Sequence, residues 1–289
     1  MEQEDLGRNP ERREREFQFR IGQRTRPSAR HPERNEDAIL VDQEAGVFAV
    51  FDGVSGLENG AGGSAAQMAK EHIARLVREM PRQMSLVDVR DYLVLAAHHT
   101  NETLWKHQRE RNLEGLETTM TLGCIVEEHG SRCLLTVHVG DSRAYVLRGR
   151  STLETVTLDD SLIRSMGLDE AGMKQVQKRL SNAQTAAGLS PEERRAFRFR
   201  NLITQGLGYE SIEPHTTATE IQPGDRVLLT TDGIHDNLIQ DEMEGTLKSS
   251  ADVQQSADNM VEAAAQRSAE KGDRANPDDM TTLVVEVVE

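Results

Sequence analysis

VFAVFDGVSG, residues 47–56, decides how the rest of the chain is read. Five apolar residues run straight into Asp52-Gly53, and glycines follow. By itself this is turn chemistry: Asp bonds its own backbone and Gly accepts positive φ. The pattern recurs, however. RVLLTTDG ends on Asp232-Gly233, and LLTVHVGDS ends on Gly140-Asp141. In NPDDMTTLVVEVV, Asp278 and Asp279 stand just before a strand, and in RNEDAILV, Glu36 and Asp37 open another. Carboxylates at five separate strand ends predict that those ends converge. Convergent carboxylates repel one another unless cations lie among them. Hard divalent ions with oxygen ligands, Mg²⁺ or Mn²⁺, are the natural partners. Two such ions close together activate a water and offset negative charge at a reacting centre. Gly53, lacking a side chain, lets its carbonyl approach an ion.

The totals exclude several classes. The chain has 289 residues and a net charge of −15, from 34 basic and 49 acidic residues. That balance argues against a general binder of nucleic acid or anionic membrane, which needs basic surface. No apolar run is long enough to span a bilayer. The N-terminus is charged throughout and lacks the apolar segment of a signal peptide. The two cysteines, Cys124 and Cys133, lie in strand-like runs. They read as small core residues in a reducing compartment, not as a disulfide framework. The expectation is a cytoplasmic, soluble protein.

Along the chain, residues 1–16 read as a charged leader and 17–289 as one domain. FQFRIGQRT alternates as a half-buried strand does, and AILVD and VFAVFDG read as two strands joined at QEAG. Ser64, with Gln67 three residues on, predicts a capping box where a helix opens after LENGAGG. A second helix fits SLVDVRDYLVLAAHHTNETLWKHQRER, with Val89, Leu93, Ala96, Ala97 and Leu104 inward and His98, His99 and His107 on the polar side. TTMTLGCIVEE and SRCLLTVHVGDSRAYVLRGR read as three strands. Residues 157–202 are helical and polar. DRVLLTTDG is a strand, DNLIQDEMEGTLK and ADVQQSADNMVEAAAQRSAEK are helices, and MTTLVVEVVE closes the chain as a strand. Clustered, hairpin-like strands with helices between clusters predict a mainly antiparallel α+β protein with helices covering the sheet.

In order, RNEDA, VFAVFDGVSG, TTMTLGCIV, VGDSRAYVLRGR, LLTTDGIHDNL and DDMTTLVVEV resemble the type 2C, or PPM, metal-dependent protein serine/threonine phosphatases in their compact bacterial form. The resemblance runs from about residue 17 to the C-terminus. It implies a four-layer α-β-β-α sandwich, two antiparallel sheets face to face with helices outside, and metals at one edge. Carried over by position, Asp52 bridges two Mn²⁺ or Mg²⁺ ions, and the Gly53 carbonyl binds one of them. Asp232 and Asp278 bind the other. Glu36 acts on the first ion directly or through water, and Asp37 orients the metal-bound water or its neighbours. Asp141, with Asp232, matches the pair that holds a third, weaker ion in bacterial members. Ser161 lies where the flap, here 159–200, contributes to that third site. The implied reaction is direct hydrolysis of phosphoserine or phosphothreonine in a protein substrate by a monomeric enzyme. Ser55 lacks the nucleophile elbow of a serine hydrolase.

The chain departs from the family pattern at three places. Pro32 stands where many members carry a phosphate-gripping Arg, and Arg30 and Arg34 flank it as replacements or as surface charges. Val54 replaces a His that follows Asp-Gly in some members, leaving His235 and His31 as other proton donors or as plain polar residues. Asp279 replaces Asn, and either alters metal affinity or faces solvent. Pro32 and Val54 motivate the alternative of a pseudophosphatase, a phosphoprotein-binding or regulatory module without turnover. The intact Asp52, Asp232 and Asp278 set favours the enzyme.

Overall fold

Apolar runs too continuous for a one-sided sheet become strands buried on both faces. The structure is a computed structural model and describes residues 19–54, 61–113 and 115–288. The charged leader, Ser55 and the first part of the glycine-rich loop lie outside the described residues. One sheet holds β1 (Phe19–Arg26), β10 (Met280–Val287), β9 (Arg226–Thr230), β6 (Arg143–Leu147) and β7 (Leu153–Thr155), in that order. The second holds β2 (Ala38–Asp42), β3 (Val47–Phe51), β4 (Met120–Glu128), β5 (Ser131–Val139) and β8 (His215–Ile221). Every pairing is antiparallel.

Strand alternation separates three cores. Phe48 and Val50 of β3 point between the sheets, against Val146 of β6, Val227 and Leu229 of β9, and Leu283 and Val285 of β10. Val47, Ala49 and Phe51 point outward to α1 (Ala61–Glu79) and α2 (Leu86–Arg111), where Ile73, Leu93 and Leu104 cover them. On the far side, Tyr145, Leu228 and Val284 pack under α6 (Gln240–Ser249) and α7 (Val253–Ser268), through Met243, Met260 and Val261. The result is the expected α-β-β-α sandwich. A fourth, smaller core of Ile163, Val176, Leu180, Leu189, Ala196 and Phe197 belongs to the segment between β7 and β8. A 3-10 turn (Leu162–Met166), α3 (Glu170–Asn182) and α4 (Pro191–Arg198) form that segment. The Ser190–Glu193 capping box opens α4.

The structure corrects the sequence reading in places. Helix α1 begins at Ala61, so Ser64 and Gln67 lie within it, and Gln67 bonds Glu71 (2.7 Å) instead of closing a cap. Strands β7 and β8 were not expected. HTTATEI has Thr where a buried strand would carry aliphatics, and β8 is an edge strand beside β5 with alternating exposure. Ser85 does cap α2, and its predicted inward stripe is buried, with His98 and His99 exposed.

Candidate metal centre

Antiparallel register carries the strand ends to one rim. Ala38, which opens β2, pairs with Phe51, which ends β3, so Glu36-Asp37 and Asp52-Gly53 flank the same point. Thr230, ending β9, pairs with Arg143 at the start of β6 and with Thr282 near the start of β10. Asp232, Asp141 and Asp278 therefore leave the other sheet side by side. The two groups meet across the sandwich: the Thr231 hydroxyl donates to Asp37 Oδ2 (2.9 Å), and burial and mutual repulsion couple Asp52 with Asp232.

Each carboxylate sits on a fixed backbone. The Asp52 amide donates to Thr119 Oγ1 (3.1 Å), and its carbonyl accepts from the Thr119 amide (2.8 Å) and the Thr118 hydroxyl (2.7 Å). Gly53 donates to the Glu36 carbonyl (3.1 Å), tying the two acidic segments together. Asp232 is not the end of a strand, as its sequence context implied, but the first residue of a short helical turn, α5 (Asp232–His235). That turn presses onto the entry to β10. A Cβ on Gly233 would lie 1.8 Å from the Asp279 carbonyl oxygen, so the Asp-Gly pair here answers a close approach of two backbones. Gly140 has φ +105°, which reverses the chain and delivers Asp141 to the rim.

The electrostatics are those of a centre that calls for cations. Burial, then Asp37, Asp278 and Asp141, push the Asp52 carboxyl well above its ordinary range. Burial, then Asp278 and Asp52, do the same to Asp232. Asp37 and Asp141 are likewise raised, chiefly by burial, and Asp278 is pushed up to about 6. Glu36 Oε2, Asp37 Oδ1 and Asp232 Oδ1 are sealed from solvent without a hydrogen-bond donor. Buried carboxylate oxygens without donors are costly, and hard divalent cations supply the missing compensation. The residues present therefore fit a Mn²⁺ or Mg²⁺ centre.

The remaining expected residues are placed as follows. Ser161 is buried, with its hydroxyl near the Ile163 amide at the mouth of the 3-10 turn (3.5 Å). Its neighbour Asp160 is taken up by Gly140 N (2.9 Å), Gln205 (2.7 Å), His215 (3.0 Å) and Arg164 (2.6 Å). Arg30 is exposed, whereas Arg34 is half-buried with Nε 3.6 Å from Glu36 Oε1. His235 is buried, and its Nδ1 pairs with the Thr230 hydroxyl (2.8 Å), which removes it as a proton donor at the rim. Asp279 does not face solvent. It is buried and accepts from the Ser28 amide on Oδ1 (2.7 Å) and the Glu36 amide on Oδ2 (2.6 Å).

Sequence reasoning missed a layer of ions beneath the rim. Asp236, at the end of α5, raises Asp141, Asp232 and Asp278 and pairs with Arg200 (3.1 Å). Arg143 grips Asp159 through Nε (2.9 Å) and Nη2 (2.6 Å). The only trace of these in sequence is a polar residue within an apolar stretch, as Arg143 is in SRAYVL.

Comparison with known proteins agrees with this geometry. A family model described as stage II sporulation protein E (SpoIIE) matches residues 200–288. The serine/threonine protein phosphatase PstP of Mycobacterium tuberculosis is 30% identical over 256 residues, which cover 88% of this chain and 42% of PstP. A putative protein phosphatase 2C-type of Streptococcus pyogenes is 27% identical over 237 residues, covering 80% of this chain and 85% of that protein. The crystal structure of the PstP catalytic domain in complex with two manganese ions superposes with a TM-score of 0.71 at 28% identity, covering 94% of this chain and 99% of that one. In sequence and fold the chain is similar to type 2C (PPM) protein phosphatases over most of its length. It spans less than half the length of PstP, and within this PPM fold the acidic rim lies at the edge of the sandwich. Among the described residues, no helix is long and apolar enough to cross a membrane.

Proposed function

We propose that this chain hydrolyses phosphoserine and phosphothreonine in proteins at a binuclear Mn²⁺ or Mg²⁺ centre. The observation that carries the reading is the meeting of Asp37, Asp52, Asp141, Asp232 and Asp278 from both sheets, with buried oxygens that lack donors. Asp52 would bridge the two cations, the Gly53 carbonyl would hold one, and Asp232 and Asp278 the other. Glu36 would act on the first cation directly or through water, and Asp141 would hold a third, with Ser161 as a further donor. When bound, the cations supply an activated water and offset the charge of the phosphoryl group.

The chain's own groups do the positioning. Thr231 occupies Asp37 Oδ2, which leaves Oδ1 to orient the attacking water. Arg34 stands closest to the rim of the two arginines that flank Pro32, and its guanidinium can grip phosphate bidentately. The buried Cys124 thiol is pushed up to about 12 by burial, so it is no nucleophile. Free Cys124 and Cys133 support action in the cytoplasm on phosphoproteins, and the enzyme is proposed to act as a monomer.

The test is phosphate release from a phosphothreonine peptide with and without Mn²⁺, beside Asp232→Asn. Metal-dependent release that the variant loses supports the reading. No release from folded, metal-loaded protein would sink it.

A further inference from the structure

We propose that His31, Glu36 and Asp279 form a further cation seat of mixed nitrogen and oxygen donors, which takes a borderline divalent ion such as Zn²⁺ in preference to Mg²⁺. A ring nitrogen of His31 and one carboxylate oxygen from each of Glu36 and Asp279 lie within 4.8 Å of one another. Donors bound at roughly 2.0–2.2 Å around one ion stand roughly 3–3.5 Å apart, so a contraction of up to about 1.5 Å closes the set.

A second observation points to a ligand here. Glu36 is 3% exposed, and its Oε2 has no partner. Arg34 Nε makes a long ion pair with the other oxygen, Oε1 (3.6 Å), beyond hydrogen-bond reach, and gives Oε2 no donor. A buried carboxylate oxygen without a donor is a vacant ligand. Asp279 is already oriented. Each of its oxygens accepts one amide, from Ser28 (2.7 Å) or Glu36 (2.6 Å), and each retains a second lone pair.

His31 stands beside the two carboxylates. Its Nδ1 donates to the Arg34 carbonyl (3.2 Å) and lies 3.7 Å from Asp279 Oδ1. Donation from one ring nitrogen to a backbone carbonyl fixes the tautomer and leaves a lone pair on the other nitrogen for a ligand. Imidazole suits zinc, iron, nickel and copper, whereas carboxylate and water suit magnesium and manganese. Adding His31 to an otherwise all-oxygen rim therefore shifts selectivity away from Mg²⁺. The seat adds to the carboxylate centre and does not depend on turnover there.

Electron spin-echo modulation of the full chain loaded with Mn²⁺ tests this. The carboxylate centre has oxygen ligands alone, so imidazole nitrogen coupling reports the new seat. We expect that coupling in the natural chain and its loss in His31→Gln, with unchanged circular dichroism and Mn²⁺ still held at the carboxylates. Zn²⁺ should remove the coupled signal at a concentration at least about tenfold below that at which Mg²⁺ does. Bound Mn²⁺ without nitrogen coupling in the natural chain, coupling that persists in His31→Gln, or equal displacement by Zn²⁺ and Mg²⁺ would overturn the proposal. None of these results bears on metal-dependent phosphate release, so the two proposals fail separately.

Discussion

Asp279 holds Glu36 in place through the main chain: its Oδ2 accepts the Glu36 amide at 2.6 Å, while Oδ1 accepts the Ser28 amide at 2.7 Å. One carboxylate thus pins both ends of the loop that carries Arg30, His31 and Arg34. The entry to β10 and the entry to β2 are locked together by it.

Asp279→Ala should therefore loosen that loop. Two buried amides lose a charged acceptor, at a cost of about 2–4 kcal/mol. Asp279→Asn keeps one acceptor oxygen and should cost less. Urea unfolding of the three proteins checks the order, and an alanine variant as stable as the parent would refute it.

The acidic rim sets the pH dependence of the metal-free protein. Asp37, Asp52, Asp141 and Asp232 have raised folded-state values, and Asp278 sits at about 6. A carboxyl raised on folding binds more protons in the native than in the unfolded state. Stability is then greatest below the unfolded value and falls as pH rises through the folded one. The metal-free Tm should drop as pH rises from about 4, the unfolded carboxylate value, through all five groups together, and the share of Asp278 is spent once pH passes about 6. Saturating Mn²⁺ should raise Tm and flatten or reverse the slope, because bound cations favour the ionised forms. Thermal melts across this range, with and without Mn²⁺, decide the matter.

Arg143 and Asp159 form a pair whose side chains are 7% and 3% exposed. Asp159→Ala strands a buried guanidinium and should cost about 3–5 kcal/mol. Replacing both residues by Met and Leu should cost much less, since no charge is left alone. A double variant as unstable as the single one would show that the pair contributes more than mutual neutralisation.

Phe197 anchors the segment between β7 and β8. It is buried in that segment's own small core, and the guanidiniums of Arg200 and Arg274 lie 4.9 and 5.7 Å from its ring centre. Arg200 also pairs with Asp236 beneath the rim, so the ring links this segment to the centre. Phe197→Ala should raise hydrogen exchange across residues 162–198 by local opening, while amides of β9 and β10 stay protected. Exchange rising equally in the sheets would mean that this segment is not a separate unit.

The long strands were legible because both of their faces are buried, so VFAVF, TLGCIV and LVVEV read as unbroken apolar runs. Strand β8 was not, because HTTATEI lies at an edge and takes its conformation from pairing with β5. Ser64 misled for a related reason. A capping signature is local, and α1 starts one turn earlier, where Gly63 fits beside Glu36.

The sequence by itself determined the long buried strands, most of the helices and the acidic residues at strand ends, since apolar periodicity and turn chemistry are written over a few neighbouring residues. Only the tertiary structure decided which ends meet. Antiparallel register brought Asp52 beside Asp37 and Asp232 beside Asp141, and sheet packing set the two groups face to face. It also turned Asp279 inward and buried His235, because those fates depend on backbone groups some 240 residues away, or on packing around a single helical turn, and no local pattern encodes either.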